Sequence, residues 1–303
     1  MSRRPTRQTA EGRAYLDLQN LARRTGRPTD ELHQLYSLEG FLDRLTRSRY
    51  ADQFVLKGAL LLAAFDTRRP TRDVDLAGLG VDNSVEAVGR VVAEIVRIDI
   101  DDGLSLDADA IGAESIRDAD EYSGVRVTVT GTLASASLQF HIDVNVGDPI
   151  SPSPESVTLP RLLGGELTMS GYPLEMILAE KVVTAVQRGT ANTRWRDFTD
   201  IARLTARHPV DGLRFSESVR QVADHRMAVL APLAQVLDGY AVVAQGRWSA
   251  WRRKQRLEES TPELFDDLLT DVIEFADLVL AGRALDRTWD VAARSWANPP
   301  EVP

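Results

Sequence analysis

The 303-residue chain contains no cysteine, which excludes a disulfide framework and any thiolate-ligated metal site. It also lacks an apolar run of about 18 residues, the length a helix needs to cross a bilayer, so no membrane span is expected. The amino-terminal MSRRPTRQTAEGR is basic but has no apolar segment behind it, and it does not read as a secretory signal. Positive charge is not in excess: 36 Lys and Arg face 45 Asp and Glu, a net charge of −9. That balance argues against broad, nonspecific nucleic-acid affinity, which depends on many phosphate contacts. A local basic groove stays open. These absences make a cytoplasmic location the expectation.

Lysine is the scarcest of the charged residues. Of the 36 cations only Lys57, Lys181 and Lys254 are lysine, and 33 are arginine. An ammonium is a compact point charge that enters narrow sites, unlike the planar guanidinium fork. Lys57 and Lys181 lie in apolar contexts, FVLKGALL and MILAEKVVTA, whereas Lys254 lies in RRKQR and reads as a surface residue. The competing reading of the first two is that their stems snorkel from helix or strand ends.

Periodicity divides the chain into an α+β part followed by a mostly helical part, with the boundary placed so that domains run over 11–165 and 166–303. Helical spacing predicts helices over 11–24 and from Thr29 to Leu45. A short strand follows at Phe54–Leu56, then a helix over Gly58–Phe65, a strand over Asp73–Ala77 and a helix over Ser84–Ile95. The β-branched segments Val125–Thr130 and Leu138–Val146 predict an antiparallel pair. Later helices are expected at Leu174–Gln187, Trp195–Thr205, Ser216–Leu230, Pro262–Val279 and Asp286–Trp296.

The segment FVLKGALLLAAFDTRRPTRDVDL carries the first chemical signal. Asp73 and Asp75 are one residue apart on a strand, so their carboxylates point to the same face. Hard oxygen ligands suit magnesium, which in turn goes with phosphate. A two-metal phosphoryl-transfer site calls for a third carboxylate. Asp143, flanked by apolar residues in LQFHIDVNV, supplies it, with an arginine ion pair as the alternative. Asn145 shares its face, as does His141, for which a packed imidazole is the alternative. Gly58 lets backbone approach a triphosphate. Thr71 fits either a phosphate contact or a turn after Pro70.

A second constellation is AEKVVTAVQRGTANTRWRDFTDIARL. Lys181 and Arg188 are seven residues apart and share a helix face. Lys181 and Arg196 are read as binding phosphates across a cleft. Asp197 and Asp200 would orient them or act on an incoming hydroxyl as general base. For Glu180 and Asp200 a salt-bridged seam between helices is preferred. Local basic clusters stand at Arg68, Arg69 and Arg72, at Arg188, Arg194 and Arg196, and at Arg252, Arg253, Lys254 and Arg256. The last reads as a solvated helix face.

In order and spacing, FVLKGALLL, TRDVDLAG, FHIDVNVGD and AEKVVTAVQRG with WRDFTDIARL resemble the AbiEii/AbiGii nucleotidyltransferase toxin family, which includes the MenT-like toxins of toxin–antitoxin systems. The small pair that follows the family's lysine is Gly58-Ala59 here. The resemblance implies a polymerase-β-like nucleotidyltransferase core with a mixed sheet, followed by a helical carboxy-terminal domain. It implies a Mg2+-dependent enzyme that moves a nucleoside monophosphate from an NTP to an RNA acceptor, the tRNA 3′ end foremost, with a cognate antitoxin as partner. Carried over by residue, Asp73 and Asp75 match the metal-binding pair and Asp143 the third ligand. Lys57, Gly58 and Thr71 match the nucleotide loop, Lys181 the essential lysine, and Asp197 the acidic residue beside Arg196. The rival expectations are transfer to a protein or small molecule, and a nucleotide-binding regulatory module without catalysis.

Overall fold

The computed structural model describes residues 5–117 and 123–298. They form two compact units, one of residues up to Asp148 plus Pro154–Tyr172, the other of Pro149–Ser153 plus the chain from Pro173.

The first unit opens with two helices, α1 (Ala10–Thr25) and α2 (Thr29–Thr46). Thr9 caps α1 by accepting from the Gly12 amide, and Gly26 ends it at φ 70°, the left-handed conformation that costs glycine least. The strand β1 (Phe54–Lys57) runs directly into a single turn, α3 (Gly58–Leu61), continued as a 3-10 turn to Phe65. There follow β2 (Asp73–Gly78), α4 (Val85–Val96), β3 (Leu104–Arg117), β4 (Ser123–Leu133), β5 (Ala136–Val146), β6 (Glu155–Pro160) and β7 (Glu166–Gly171).

The seven strands make one sheet in the order β3-β4-β5-β2-β1-β7-β6. It is mixed: β2 runs parallel to β5 and β1 to β7, while the other neighbours are antiparallel. The α+β expectation with a mixed sheet therefore holds, and the β4–β5 pair is antiparallel as expected. Alternation sends Val125, Val127 and Val129 inward from β4, and Leu138, Phe140 and Ile142 inward from β5. The helix α2 is buried nearly all round, including Glu39, Asp43 and Arg44. Buried charges need partners. Arg44 pairs with Asp102 at 2.6 Å, Asp43 with Arg161 at 2.9 Å, and Glu39 with Arg68 at 2.6 Å.

The second unit contains α5 (Leu174–Arg188), α6 (Trp195–Thr205), β8 (Val210–Asp211), α7 (Gly212–His225), α8 (Leu233–Val236), α9 (Tyr240–Gln255), α10 (Phe265–Leu280), β9 (Thr288–Asp290) and β10 (Ser295–Ala297). It holds all five tryptophans of the chain. Trp195 stacks on Tyr240 at 6.0 Å and meets Phe265 edge-on at 5.1 Å, geometries that aromatic quadrupoles favour.

Two expectations fail here. Asp286–Trp296 is not a helix: β9 and β10 form a hairpin that extends through β8 to a three-stranded sheet. Trp289 and Trp296 face each other across it, and their indole N–H groups donate to the carbonyls of Thr205 and Phe275 at 2.9 and 2.8 Å. Asp290 closes the turn by accepting from the Ala292 and Ala293 amides. The helix α9 was not foreseen. It buries a single row, Tyr240, Ala244, Trp248 and Arg252, too narrow a stripe to stand out as amphipathic.

Candidate functional site

In the first unit, pairing between strands decides which side chains meet. Lys57 on β1 lies opposite Asp75 on β2, and Asp75 lies opposite Asp143 on β5. Asp143 in turn lies opposite Arg126 on β4, which lies opposite Glu114 on β3. Residues directly opposite one another project from the same face. A row of five charged residues therefore crosses five adjacent strands in the order Lys, Asp, Asp, Arg, Glu. Two residues along β2, on the same face, Asp73 lies opposite His141. The Asp73 Oδ1 is 3.1 Å from the His141 Nδ1.

The Lys57 ammonium donates to the Asp148 carboxylate at 2.9 Å and stands 5.7 Å from the centre of the Tyr172 ring. Gly58, at the turn out of β1, has φ +68°, and a side chain there would bring its Cβ to 1.9 Å from Asp75 Oδ2. Only glycine gives this backbone conformation cheaply while leaving the Asp75 carboxylate its place. Thr71 bonds locally, its Oγ1 3.4 Å from both the amide and the carbonyl of Asp73. That is the turn role weighed for it.

Burial pushes the Asp75 carboxyl up to about 6, and the charges of Asp143 and Asp73 add to the effect. Lys57 and Arg69 act in the opposite direction but do not cancel it. The surroundings of Asp75 thus hold more negative charge than the local cations neutralise. A divalent cation on carboxylate oxygens relieves such an excess, so Asp73 and Asp75 fit magnesium in donor chemistry and in charge. Asp143 is differently placed. Arg126 takes both of its oxygens, through Nε at 2.8 Å and Nη2 at 2.7 Å, which is the arginine ion pair weighed as its alternative. Among the described residues, no group of three or more His, Cys, Asp and Glu is arranged to hold a metal ion.

In the second unit, Lys181 on α5 donates to Asp197 Oδ1 and to Asp200 Oδ2 on α6, both at 2.8 Å. The three side chains are 12%, 14% and 3% exposed. Arg194 Nε reaches the other Asp197 oxygen at 2.9 Å. Asp200 thus has the structural role preferred for it. Glu180 lies 3.6 Å from Arg226, and Arg196 is exposed. The basic clusters are partly committed to structure. Arg68 pairs with Glu39 and bonds the Pro160 carbonyl. Arg252 is buried and holds the Glu258 and Thr261 carbonyls at 2.9 Å, so it is no part of a solvated face.

The sequence reading did not name Arg126, Asp148 or Tyr172 as site residues. A signal existed for the first two: Arg126 is a lone charge in the β-branched GVRVTVTG, and Asp148 follows the glycine that ends β5. Nothing in the sequence marks Tyr172.

A family described as "Nucleotidyl transferase AbiEii toxin, Type IV TA system" matches residues 40–291. No curated protein matches the chain. Among solved structures, JHP933 from Helicobacter pylori is 15% identical with a TM-score of 0.47, covering 84% of this chain and 93% of that one. A structure described as a putative nucleotidyltransferase from H. pylori is 14% identical with a TM-score of 0.45, covering 83% and 94%. An antigenic nucleotidyltransferase-like protein from Paracoccidioides brasiliensis is 13% identical with a TM-score of 0.38, covering 68% and 93%. Likenesses this distant carry no argument about chemistry.

Proposed function

Because the chain belongs to the AbiEii nucleotidyl transferase toxin family, we propose that it transfers a nucleoside monophosphate from an NTP to an RNA acceptor, the tRNA 3′ end, and so blocks translation. Membership in a toxin–antitoxin family implies an NTP substrate and an antitoxin partner. The magnesium requirement, the RNA acceptor and action in the cytoplasm are our reading. No helix among the described residues is long and apolar enough to cross a membrane.

The observation that carries the proposal is the charged row across the sheet, with Asp73 beside it. Asp73 and Asp75 would hold magnesium, with Asp143 as the third carboxylate beside them, its oxygens held by Arg126. When bound, the metal supplies Lewis-acid stabilisation of phosphate charge. Gly58 keeps the approach to Asp75 clear of a side chain. Lys57, anchored by Asp148, presents a fixed ammonium next to the carboxylates. With Thr71 it belongs to the nucleotide loop in this reading. In the second unit, Lys181 and Arg196 are the phosphate-binding cations of this reading. Asp197, which already binds the Lys181 ammonium, orients it or accepts the proton of the attacking hydroxyl.

Purified protein incubated with each labelled NTP, Mg2+ and total tRNA should label RNA. Asp73→Ala should reduce labelling by about 10³-fold or more, the scale of losing a main electrostatic contributor. Label on protein with none on RNA would move the acceptor to a polypeptide. Tight NTP binding without pyrophosphate release would reduce the chain to a nucleotide-binding module.

A further inference from the structure

Asp143 stands between an aspartate and an arginine, and the arginine holds it. The Arg126 guanidinium meets the carboxylate side-on, one N–H to each oxygen at 2.8 and 2.7 Å, the geometry in which a planar fork binds a carboxylate most strongly. Register fixes the pair: Arg126 and Asp143 are direct partners across β4 and β5, and Asp75 is the direct partner of Asp143 on the other side. Arg126 also feels the charges of Asp73 and of Glu114. Its side chain is 34% exposed, against 11% for Asp143, so the guanidinium borders solvent while the carboxylate does not.

We infer that Arg126 is a resident counter-cation that supplies at Asp143 the positive charge a second metal ion would otherwise bring. The site then takes one divalent cation, at Asp73 and Asp75, and gains a second only when Arg126 releases Asp143. This rests on the magnesium reading above and deepens it. Arg126 is a positioning residue, acting through the carboxylate it holds. Removing one partner of a shielded ion pair leaves the other charge uncompensated, and an Asp143 so exposed beside Asp75 would recruit a cation.

The test counts bound Mn2+ at saturation by the electron paramagnetic resonance of the free ion, without nucleotide or RNA. Wild type should hold one Mn2+, Arg126→Gln two, and the double variant Arg126→Gln with Asp143→Asn one again. A wild-type count of two or more, or an unchanged count in Arg126→Gln, overturns the inference. Should Arg126→Gln not fold, Asp143→Asn alone decides. Its count stays at one if Asp143 is no ligand in the resting protein, and a fall to zero refutes the idea. Failure of the underlying metal reading would look different: Asp73→Ala combined with Asp75→Ala would then bind as much Mn2+ as wild type.

Discussion

Lys57 and Lys181 are shielded to the same degree, with side chains 11% and 12% exposed, but their surroundings differ. Lys181 sits between two helices with two carboxylates of its own, and Arg194 joins one of them. Lys181 and Arg194 thus lie against Asp197 and Asp200. Lys57 stands at the end of a strand, bonded to Asp148 and opposite Asp75 in a row that also holds Asp143, with Asp73 close by. In that row burial raises the Asp75 carboxyl first of all, and the charges of Asp143 and Asp73 raise it further. A balanced buried cluster can serve as structure whether or not it does chemistry. An unbalanced one costs stability and is characteristic of sites that bind charged ligands.

The comparison breaks most visibly at Lys181. Lys181→Ala would take a shielded ammonium away from Asp197 and from Asp200, the latter only 3% exposed, and should destabilise the protein by about 3–5 kcal/mol, read as a large fall in Tm. It should also abolish RNA labelling. Lys181→Arg can span both carboxylates and should recover most of the stability. If labelling stays absent in Lys181→Arg, the compact ammonium is needed for chemistry; if it returns with stability, the lysine is structural.

Asp75 should behave in the opposite way. Its carboxyl rises from 3.8 to about 6 in the folded protein, so the fold favours the protonated form. Metal-free wild type should therefore lose stability as pH climbs from about 4 to about 6, by up to about 3 kcal/mol. Asp75→Asn, which imitates the protonated state, should be no more stable than wild type below pH 4 and more stable above pH 6. Urea unfolding in EDTA across that range checks the sign. A variant less stable at pH 7.5 would mean that the Asp75 charge is already satisfied. The smallest expected effect is at Gly58. Gly58→Ala adds a Cβ 1.9 Å from Asp75 Oδ2 at φ +68°, a strain of about 1–3 kcal/mol. Labelling should fall further than stability does, because the Asp75 carboxylate must move; equal losses would separate Gly58 from the site.

Much of the architecture could be read from spacing. The apolar stripes of α1 and α2 were evident, as were α5, α6 and the β4–β5 pair, because each buries a face or core with the period of its backbone. The β9–β10 hairpin was not. Trp289, Ala292 and Trp296 recur at helical intervals, and only packing against Phe275, at 5.0 and 5.5 Å from the two rings, selects the hairpin. The strands β6 and β7 are short, and their place beside β1 comes from a single parallel register, Leu56 with Gly171. In the candidate site, Asp73 and Asp75 could be foreseen because two residues on one strand share a face by local geometry alone. Arg126 and Asp148 could not be assigned, because their partners lie 17 and 91 residues away.

The sequence by itself determined the chemical parts: an aspartate pair on a strand, a glycine after a rare lysine, and a second rare lysine followed by an Arg-Asp step. Each depends on contacts no more than a few residues apart, so composition and period suffice to reveal it. Tertiary structure decided how those parts are paired. Strand register set Lys57, Asp75, Asp143, Arg126 and Glu114 in one row, and helix packing closed Lys181 onto Asp197 and Asp200. A shift of one residue in any of those strands would send its charged side chain to the opposite face. The local sequence is the same in both registers, so only the packing of the whole sheet could choose between them.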